Sequence, residues 1–394
     1  MSDPLLCWRD QFPILQDSCY LVSHSLGAMP RAAAARVQDY ADVWSRRGVR
    51  AWAEGWWRLP LEAGDRIARI IGAAPGSVAM HPNVSLAQAL VLSCFDLSRR
   101  RNKIVYDELN FPSVMYVYQA HRALGARLQV VKSDDGITVP LERLLEAIDE
   151  ETLLVPISHV IFKSGFVQDL AAITRRAHAV GALVVADLYQ SAGNVPVDVT
   201  AWGVDFAVGG SVKWLCGGPG AGYLYVAPRL REGLEPRLTG WAAHARPFAF
   251  EEEHAYAGDA ARFLHGTPAV PALYAAAAGA EIVASIGVPA IRAKSKRQVA
   301  LLLELAQERG FAPRVPARAE ERGGFAILEL PHGEAVTREL LRREVLVDHR
   351  PGAGIRISPH FYTTDEEIRH ALDEARAILD SGAWRGQAAG SVGF

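Results

Sequence analysis

The chain has 394 residues, of which 50% are hydrophobic, and a formal net charge of −2. This length can bury one large core or two smaller ones, and the interspersed charges leave no basic footprint for nucleic acid. The four cysteines form no CxxC pair, which favours reduced thiols over a disulfide framework. We therefore expect a globular protein that acts on a small molecule.

No pattern in the sequence predicts export or membrane insertion. The N-terminal stretch MSDPLLCWRDQFP lacks a basic region followed by a long apolar run, so it predicts no signal peptide. The longest apolar run, TPAVPALYAAAAGA, is stopped by Glu281, short of the roughly 20 residues that a membrane span needs. These features predict a cytoplasmic protein with no membrane partner.

The predicted elements divide the chain into three parts. Residues 1–55 form an N-terminal segment that we expect to pack with the C-terminal part. In residues 56–285, short β-branched runs alternate with amphipathic helical patterns such as those at 141–150 and 169–181. The predicted strands lie at 102–108, 127–134, 152–160, 182–188, 206–211 and 222–228. This alternation indicates an α/β domain with a largely parallel sheet between helices.

The composition changes in residues 286–394. Helical patterns at 294–310 and 364–382 flank two short strand patterns, at 323–330 and 354–359. Few strands with surface-type helices are typical of a smaller α+β domain. The last residues, 381–394, are expected to form a frayed tail.

Lys213 is the first candidate for chemistry, because it follows the apolar run FAVGGS and stands between two glycine clusters. Burial near a strand end would lower the pKa of this lysine and leave a neutral amine that can form a Schiff base. The glycines would let the backbone turn tightly on either side. The alternative is a surface lysine at a strand end.

Asp187 ends the apolar run GALVVAD, and an acid at the carboxyl end of a parallel strand faces the ligand crevice. A carboxylate there can pair with a protonated pyridine nitrogen, the arrangement that lets pyridoxal phosphate act as an electron sink. The alternative is an aspartate that forms a turn or caps a helix before SAG.

A phosphate site is predicted at the start of the apolar helix in HPNVSLAQALVLSCF. Asn83 and Ser85 form a polar turn there, and the free N–H groups of a helix N-terminus can bind an anion. Ser211, two residues before Lys213, can add a hydroxyl group. Ordinary helix capping is the alternative for the turn.

Arg356 lies in the apolar stretch GAGIRISP and can clamp a substrate carboxylate through two parallel hydrogen bonds. The alternative is an edge-strand arginine that faces water. The tryptophan-rich stretch at 43–60 either stacks on an aromatic ligand or packs in a core or interface. GGPGAG lacks the order of a nucleotide P-loop, and the twelve histidines include no HExxH motif for a metal.

Several long motifs occur together in the order found in one enzyme family. They are EGWWRLPLEAGDRIARIIGAAPGSV, LNFPS, SHVIFKSG, the run from DLYQSAG to KWLCGGPG, and GWAAHARPFAF followed by RFLHGTP. With them, the chain resembles fold-type I pyridoxal-phosphate enzymes of the class V aminotransferase group, and kynureninases most closely. This resemblance implies a large domain with a mainly parallel seven-stranded sheet between helices, plus a smaller α+β domain.

The resemblance also implies a role for each matching residue. Lys213 would form the aldimine with pyridoxal 5′-phosphate, and Asp187 would hold the pyridine nitrogen protonated. Phe111 would stack on the cofactor ring, and Gln190 would lie near the ring hydroxyl. The other cofactor-binding residues would be Val84, Ser85, Ser211, Trp241 and Thr267. Arg356 and His159 would bind the substrate.

Because the family is built as dimers, the resemblance implies a homodimer with shared active sites, to which Trp241 and Thr267 would contribute. The chain departs from kynureninases at three matching positions. Val212 stands where tyrosine is usual, Val114 replaces the acid that commonly follows FPS, and Ile161 replaces an asparagine. An asparagine expected near RFLHGTP is also absent. Each change removes a hydrogen bond from the phosphate end or the substrate end.

By resemblance, the expected activity is hydrolytic C–C cleavage of a kynurenine-type amino acid. Other reactions of the same cofactor remain open: C–S lysis, epimerisation or transamination of a different amino acid. Cysteine desulfuration is disfavoured, since no cysteine follows Cys216 to act as the late-loop nucleophile. A non-catalytic binding protein on the same scaffold is the alternative from another class.

Overall fold

The structure, a computed structural model, describes residues 3–386. The outer limits of the predicted first and third parts, and the predicted tail beyond residue 386, lie outside the described residues. Residues 381–386 of that tail continue a C-terminal helix and add a short 3-10 turn.

Seven of the described strands form the central sheet. They are β2 (Val78–His81), β3 (Lys103–Asp107), β4 (Arg127–Val131), β5 (Thr152–Ser158), β6 (Leu183–Asp187), β7 (Phe206–Gly210) and β8 (Gly222–Val226). Their spatial order is β2-β8-β7-β6-β5-β3-β4, and β8 runs opposite to the others. The expected mainly parallel seven-stranded sheet is therefore confirmed.

Helices cover both faces of this sheet. They are α1 (Arg31–Arg47), α2 (Leu59–Ile71), α3 (Val84–Ser93), α4 (Pro112–Ala120), α5 (Leu141–Ala147), α6 (Leu170–Ala179), α7 (Val199–Trp202), α8 (Pro228–Arg231) and α9 (Val270–Ile286). Successive strand residues enter different cores: Val184 packs in one hydrophobic cluster and Val185 in another. Burial on both faces explains why these strands have almost continuous apolar sequences.

The remaining strands belong to the N-terminal segment and to the C-terminal part of the chain. β9 (Ala312–Pro313), β10 (Ala326–Glu329), β12 (Asp348–Arg350) and β13 (Gly354–Ile357) form an antiparallel sheet in the order β12-β13-β10-β9. Helices α10 (Val288–Glu308), α11 (Gly333–Arg342) and α12 (Asp365–Ser381) pack around it.

The N-terminal segment joins this C-terminal part directly. β1 (Cys19–Tyr20) pairs in parallel with β11 (Val345–Leu346), and Leu21 accepts a backbone hydrogen bond from Ser358. The segment then passes over the large sheet, where Gly27 donates to the Val212 carbonyl at 2.8 Å. Residues before α1 therefore contact both sheets.

Among the described helices, none is by itself long and apolar enough to cross a bilayer. The pair α9 and α10 meets that criterion jointly by length and composition, but the two helices are bent by 83° at Gly287.

Candidate active site

A cleft with an empty volume of about 770 Å³ opens where the parallel strands end. Its lining residues are Asn83, Val84, Ser85, Phe111, Ser113, Ser158, Val160, Phe162, Asp187, Tyr189, Gln190, Val212 and Lys213. Ser158 ends β5, Asp187 ends β6, and Lys213 follows β7 by three residues. Ligands of parallel α/β sheets bind at this edge. We call this cavity the Lys213 cleft.

The Lys213 side chain is half-buried beside an aromatic wall. Its Nζ lies 4.6 Å from the centre of the Tyr189 ring and 5.5 Å from that of Phe111. Burial, aided by the nearby Arg356, lowers the pKa of Lys213 below that of an ordinary lysine. Lys213 therefore lines the cleft and does not project freely into solvent, and its role as the reactive amine stays a prediction.

The two glycine clusters around Lys213 have different functions. Gly218 and Gly220 have positive φ and form the expected turn after the lysine. Gly209 and Gly210 do not turn the chain; they lie inside β7, where added Cβ atoms would collide with the rings of Tyr223 and Tyr189. The expectation of a tight turn before the lysine was wrong, because this glycine pair instead makes room for two tyrosine rings.

Asp187 lines the cleft and forms a turn at the same time. Its Oδ1 accepts the backbone N–H of Tyr189 at 2.9 Å, which is the turn that the sequence offered as an alternative. Burial raises the pKa of Asp187, while the nearby Lys213 acts in the opposite direction. A buried carboxylate of this kind is poised to receive a cationic N–H.

Tyr189 was missed by the sequence reasoning, although it lies two residues after Asp187. In an extended chain, residues two positions apart face the same side. The spacing of Tyr189 from Asp187 was therefore the available signal. Ser113, at the start of α4, and Ser158, at the end of β5, were missed too. Val160 and Phe162 were also missed, because residues in the loop after β5 carry no periodicity that predicts their direction.

The Gln190 side chain is held at both ends of its amide. Nε2 donates to the His24 carbonyl at 3.0 Å, and Oε1 accepts Trp214 Nε1–H at 3.0 Å. Gln190 therefore ties the N-terminal segment to the turn that carries Lys213. It remains among the residues that line the cleft.

The predicted phosphate turn combines capping with an open helix end. Asn83 caps α3, since its Oδ1 accepts Leu86 N–H at 3.0 Å. Val84 and Ser85 begin α3 and line the cleft, where the N–H groups of a first turn have no acceptor within their helix. Ser211, two residues before Lys213 in the sequence, is buried. Its hydroxyl oxygen has no hydrogen-bond partner among the described residues.

Arg356 differs from its predicted arrangement. It is buried in β13, and its Nε and Nη2 donate to the two carboxylate oxygens of Asp348 at 2.8 and 2.5 Å. Nη1 donates to the Phe162 carbonyl at 3.0 Å. The structure thus pairs Arg356 with Asp348, and burial excludes the water-facing alternative. That Arg356 binds a substrate carboxylate stays a prediction.

Five predicted residues lie outside the cleft lining: Ser211 and Arg356, described above, and His159, Trp241 and Thr267. His159 follows β5, but its buried ring packs against Trp202 with ring centres 4.6 Å apart. Trp241 contacts Trp57 and is 43% exposed. Thr267 borders a separate cavity that also includes Trp57, His81 and His265. Whether Trp241 and Thr267 reach a second subunit's cleft stays a prediction.

Comparison with known proteins identifies the family. The model of the family described as Aminotransferase class-V matches residues 46–370. The chain belongs to this class V family. Class V members use pyridoxal 5′-phosphate, which is therefore the cofactor of this protein.

Two kinds of curated relative match this class V chain along nearly its whole length. The "Uncharacterized aminotransferase YcbU" of Bacillus subtilis (strain 168) is 36% identical over 94% of the chain and 97% of its own. The kynureninase of Burkholderia pseudomallei (strain 1106a) is 34% identical over 98% of the chain and 94% of its own.

Solved structures agree on the fold. The apo structure of a cysteine desulfurase from Thermococcus onnurineus NA1 has a TM-score of 0.86 at 22% identity, covering 97% of this chain and 99% of the other. A lysine-to-alanine mutant of C-DES, with glycine covalently linked to its PLP cofactor, has a TM-score of 0.85 at 21% identity, covering 93% and 98%. These similarities confirm the fold-type I architecture.

The residues of the class V site fit this cofactor. Lys213 offers a half-buried amine of lowered pKa to the aldehyde, and Asp187 offers a buried carboxylate to the pyridine nitrogen. Phe111 provides an aromatic face beside the lysine. The unpartnered Ser211 hydroxyl and the open end of α3 are suited to a phosphate group.

At the three positions where the chain departs from kynureninases, the side chains are apolar. Val212 lines the cleft with an apolar side chain, and Val114 and Ile161 are buried in the hydrophobic clusters on either side of the sheet. Accordingly, these positions supply no hydrogen bonds to phosphate or substrate.

Proposed function

We propose that this class V enzyme is kynureninase-like and cleaves a carbon–carbon bond in the side chain of a kynurenine-type α-amino acid. The observation that carries the proposal is the aromatic wall around the reactive lysine. Phe111, Phe162 and Tyr189 line the cleft with Lys213, and a flat aryl side chain packs well against such rings. The 34% identity to kynureninases over nearly the whole chain supports it.

Bound pyridoxal phosphate supplies an aldehyde for the substrate amine and a ring that draws electron density from the α-carbon. The chain's residues control the protons around that chemistry. Because burial lowers its pKa to about 7, about half of the Lys213 amine is neutral near pH 7, and this form can accept the α-proton at Nζ. Asp187 holds a proton on the pyridine nitrogen by offering its carboxylate as the acceptor.

The overall reaction consumes one water. The bond between the β-carbon and the aryl carbonyl carbon breaks, the carbonyl carbon takes the hydroxyl group, and the β-carbon takes a proton. The products are an aromatic acid and alanine. Phe111 and Phe162, whose ring centres lie 5.1 Å apart, form part of the apolar wall against which the aryl group would pack.

We further propose that the protein is a homodimer with shared active sites. Trp241, Phe248 and Phe250 form an aromatic cluster with large exposed fractions, 76% in the case of Phe250. Exposed aromatic clusters of this kind mark protein interfaces. Placed against a partner, this segment would bring Trp241 and Thr267 towards a second Lys213 cleft.

A second candidate function is transamination, which is supported by the relative named as an aminotransferase. Desulfuration fits less well. Burial raises the pKa of the Cys216 thiol to about 12, and the same cause raises that of Cys94 to about 12. Such thiols are poor nucleophiles at neutral pH.

The decisive experiment offers L-kynurenine to cofactor-loaded protein and follows anthranilate by fluorescence and alanine by chromatography. Equal amounts of the two products support the proposal. A second reaction contains 2-oxoglutarate, and glutamate formation without anthranilate would establish the aminotransferase instead. The same assay on Lys213→Ala tests the role of this lysine. Lys132→Ala is its matched control, because Lys132 is an exposed lysine paired with Glu108.

A further inference from the structure

Tyr189 presents an unused hydroxyl group to the Lys213 cleft. Its ring lies 4.6 Å from Lys213 Nζ, and its backbone N–H donates to Asp187 Oδ1. Within residues 3–386, no group forms a hydrogen bond with the phenol oxygen. Partial burial, together with the nearby Asp187 carboxylate, raises the pKa of Tyr189 to about 12. The hydroxyl therefore keeps its proton at pH 7 and can donate a hydrogen bond.

The phenol end of Tyr189 lies against the backbone of Gly210, the last residue of β7. A Cβ atom added to Gly210 would lie 2.6 Å from Cζ of Tyr189 and closer still to the hydroxyl oxygen. No side chain fits at that distance, so only glycine leaves room for the phenol. A ring from the turn after β6 thus occupies the space that a side chain at position 210 would need.

The next strand brings the start of helix α3 to the same place. Gly210 pairs with Gly222 of β8, and residues directly opposite one another in an antiparallel pair point to one face. A Cβ atom added to Gly222 would lie 3.0 Å from backbone atoms of Asn83, which caps α3. Cβ positions of such a pair are about 5 Å apart. The Tyr189 hydroxyl and the start of α3 are therefore neighbours on this face.

The first turn of α3 supplies backbone donors beside the phenol. Val84 and Ser85 line the cleft, and their N–H groups have no acceptor among the described residues. Free N–H groups at a helix N-terminus bind anions, and the helix dipole favours a negative charge there. The phenol and these N–H groups can thus donate to one anionic group.

The cleft has few other groups that could bind an anion. Its charged lining residues are Asp187, which repels an anion, and Lys213, whose amine is assigned to the aldehyde of the cofactor. The Ser158 hydroxyl is already used, because it donates to Asn110 Oδ1 at 2.8 Å. A phosphate group in this cleft therefore has to be bound by neutral N–H and O–H donors. The Tyr189 hydroxyl is a donor of this kind.

We propose that the Tyr189 hydroxyl binds the phosphate group of the cofactor, together with the N–H groups at the start of α3. This assignment goes beyond the proposed function, because it concerns how the chain holds its cofactor and applies to any reaction that follows. The turn after β6 then contributes twice: Asp187 accepts from the pyridine nitrogen, and Tyr189 donates to the phosphate. Gly210 is the residue that lets the phenol reach the phosphate end.

The test compares two ligands that differ only in the phosphate group. Pyridoxine 5′-phosphate and pyridoxine share the ring, and neither carries the aldehyde that reacts with Lys213. The ratio of their dissociation constants for the cofactor-free protein, measured by tryptophan fluorescence, therefore reports phosphate recognition alone. We expect Tyr189→Phe to reduce the preference for the phosphorylated ligand about tenfold, which corresponds to the loss of one hydrogen bond to a charged group.

Tyr223→Phe is the matched control. Tyr223 is also buried, its hydroxyl has no hydrogen-bond partner among the described residues, and its ring packs against Gly209. Because successive strand residues point to opposite faces, this phenol lies on the face of the sheet away from the one that Gly210 shares with α3. Tyr223→Phe should therefore keep the ratio of the unsubstituted protein.

A second variant moves the hydroxyl without removing it. Gly210→Ala displaces the Tyr189 ring and should lower the ratio as well. Since the Tyr189 hydroxyl has no partner in the described part of the chain, Tyr189→Phe should unfold at the temperature of the unsubstituted protein.

A Tyr189→Phe ratio within twofold of the unsubstituted value overturns the assignment, also when both ligands bind more weakly by the same factor. Failure of the unsubstituted protein to prefer pyridoxine 5′-phosphate overturns it too, because the cleft would then have no phosphate site. Both results are independent of whether L-kynurenine is cleaved, so they are distinct from a failure of the proposed function.

Discussion

Lys213 combines a reactive amine with surroundings that favour its uncharged form. Its burial against Tyr189 and Phe111 removes water, and water is what makes an ammonium ion favourable. We therefore predict that borohydride fixes pyridoxal phosphate to the protein and that Lys213→Ala abolishes the attachment. Intact mass spectrometry measures the added mass. Lys132→Ala should retain it, and attachment that survives in Lys213→Ala would move the reactive amine elsewhere.

At the scale of single residues, the sequence predicts side chains at strand ends better than it predicts the side chains that they contact. Lys213 and Asp187 were found because each lies at or shortly after the end of a buried strand. The Asp348 partner of Arg356 was not found, since their pairing depends on the antiparallel register of β12 and β13. His24 Nε2 contacts the same carboxylate, that of Asp348, from 324 residues away in the sequence. No local pattern encodes contacts at such separations.

At the scale of elements, strand β7 shows how a glycine pair shapes the site. A Cβ at Gly210 would lie 2.6 Å from Cζ of Tyr189, whose ring contacts Lys213. We predict that Gly210→Ala displaces this ring, weakens cofactor binding at least tenfold and costs about 1–3 kcal/mol of stability. Fluorescence titration with pyridoxal phosphate and thermal unfolding measure the two effects.

Gly258→Ala is the appropriate control, because an added Cβ there has no neighbour within 4 Å. It should bind cofactor like the unsubstituted protein. Equal binding by Gly210→Ala and Gly258→Ala would show that the Tyr189 ring is not needed for cofactor binding.

Element prediction succeeded where both faces of a strand are buried. All six predicted central strands are present within a few residues. Five of them have apolar runs that fill the two cores on either side of the sheet, whereas the edge strand β4 exposes Arg127 and Gln129. β2 was missed, since its four residues, VAMH, are too short to show a period and lie at the sheet edge. The structure adds it next to β8 through antiparallel pairing.

At the scale of the whole molecule, the aromatic cluster around Trp241 provides a test of assembly. If Phe250 is buried between two subunits, a charge there costs enough desolvation energy to separate them. We predict that Phe250→Asp shifts the protein from dimer to monomer in analytical ultracentrifugation. Leu124→Asp, an exposed apolar position after α4 near the opposite sheet edge, is the control. A monomeric unsubstituted protein would contradict the dimer.

The molecule also buries several histidines, which makes its stability depend on pH. Burial lowers the pKa of His24 to about 4 and that of His81, His159 and His360 to about 3. The unfolded chain, with histidine pKa values near 6.5, binds more protons in this range, so stability is lost as the pH falls below about 6.5. Each histidine removes about 1.4 kcal/mol between pH 7.5 and 5.5.

Buried acids oppose this trend but are fewer. Burial raises the pKa of Asp107 to about 6 and also raises that of Asp187, so these groups gain stability as the pH falls through the same window. Four histidines against these two acids leave a net loss. We therefore predict that the melting temperature of the cofactor-free protein falls by several degrees between pH 7.5 and 5.5.

His360 allows the cause to be tested directly. Its Nε2 lies 2.9 Å from the Trp214 carbonyl, and a glutamine can keep a donor there without becoming charged. His360→Gln should therefore show a smaller fall in melting temperature between the two pH values, whatever its stability at pH 7.5. His370→Gln, at an exposed position of α12, should show the full fall. If both variants lose stability as steeply as the unsubstituted protein, protonation of buried His360 does not contribute to its acid sensitivity.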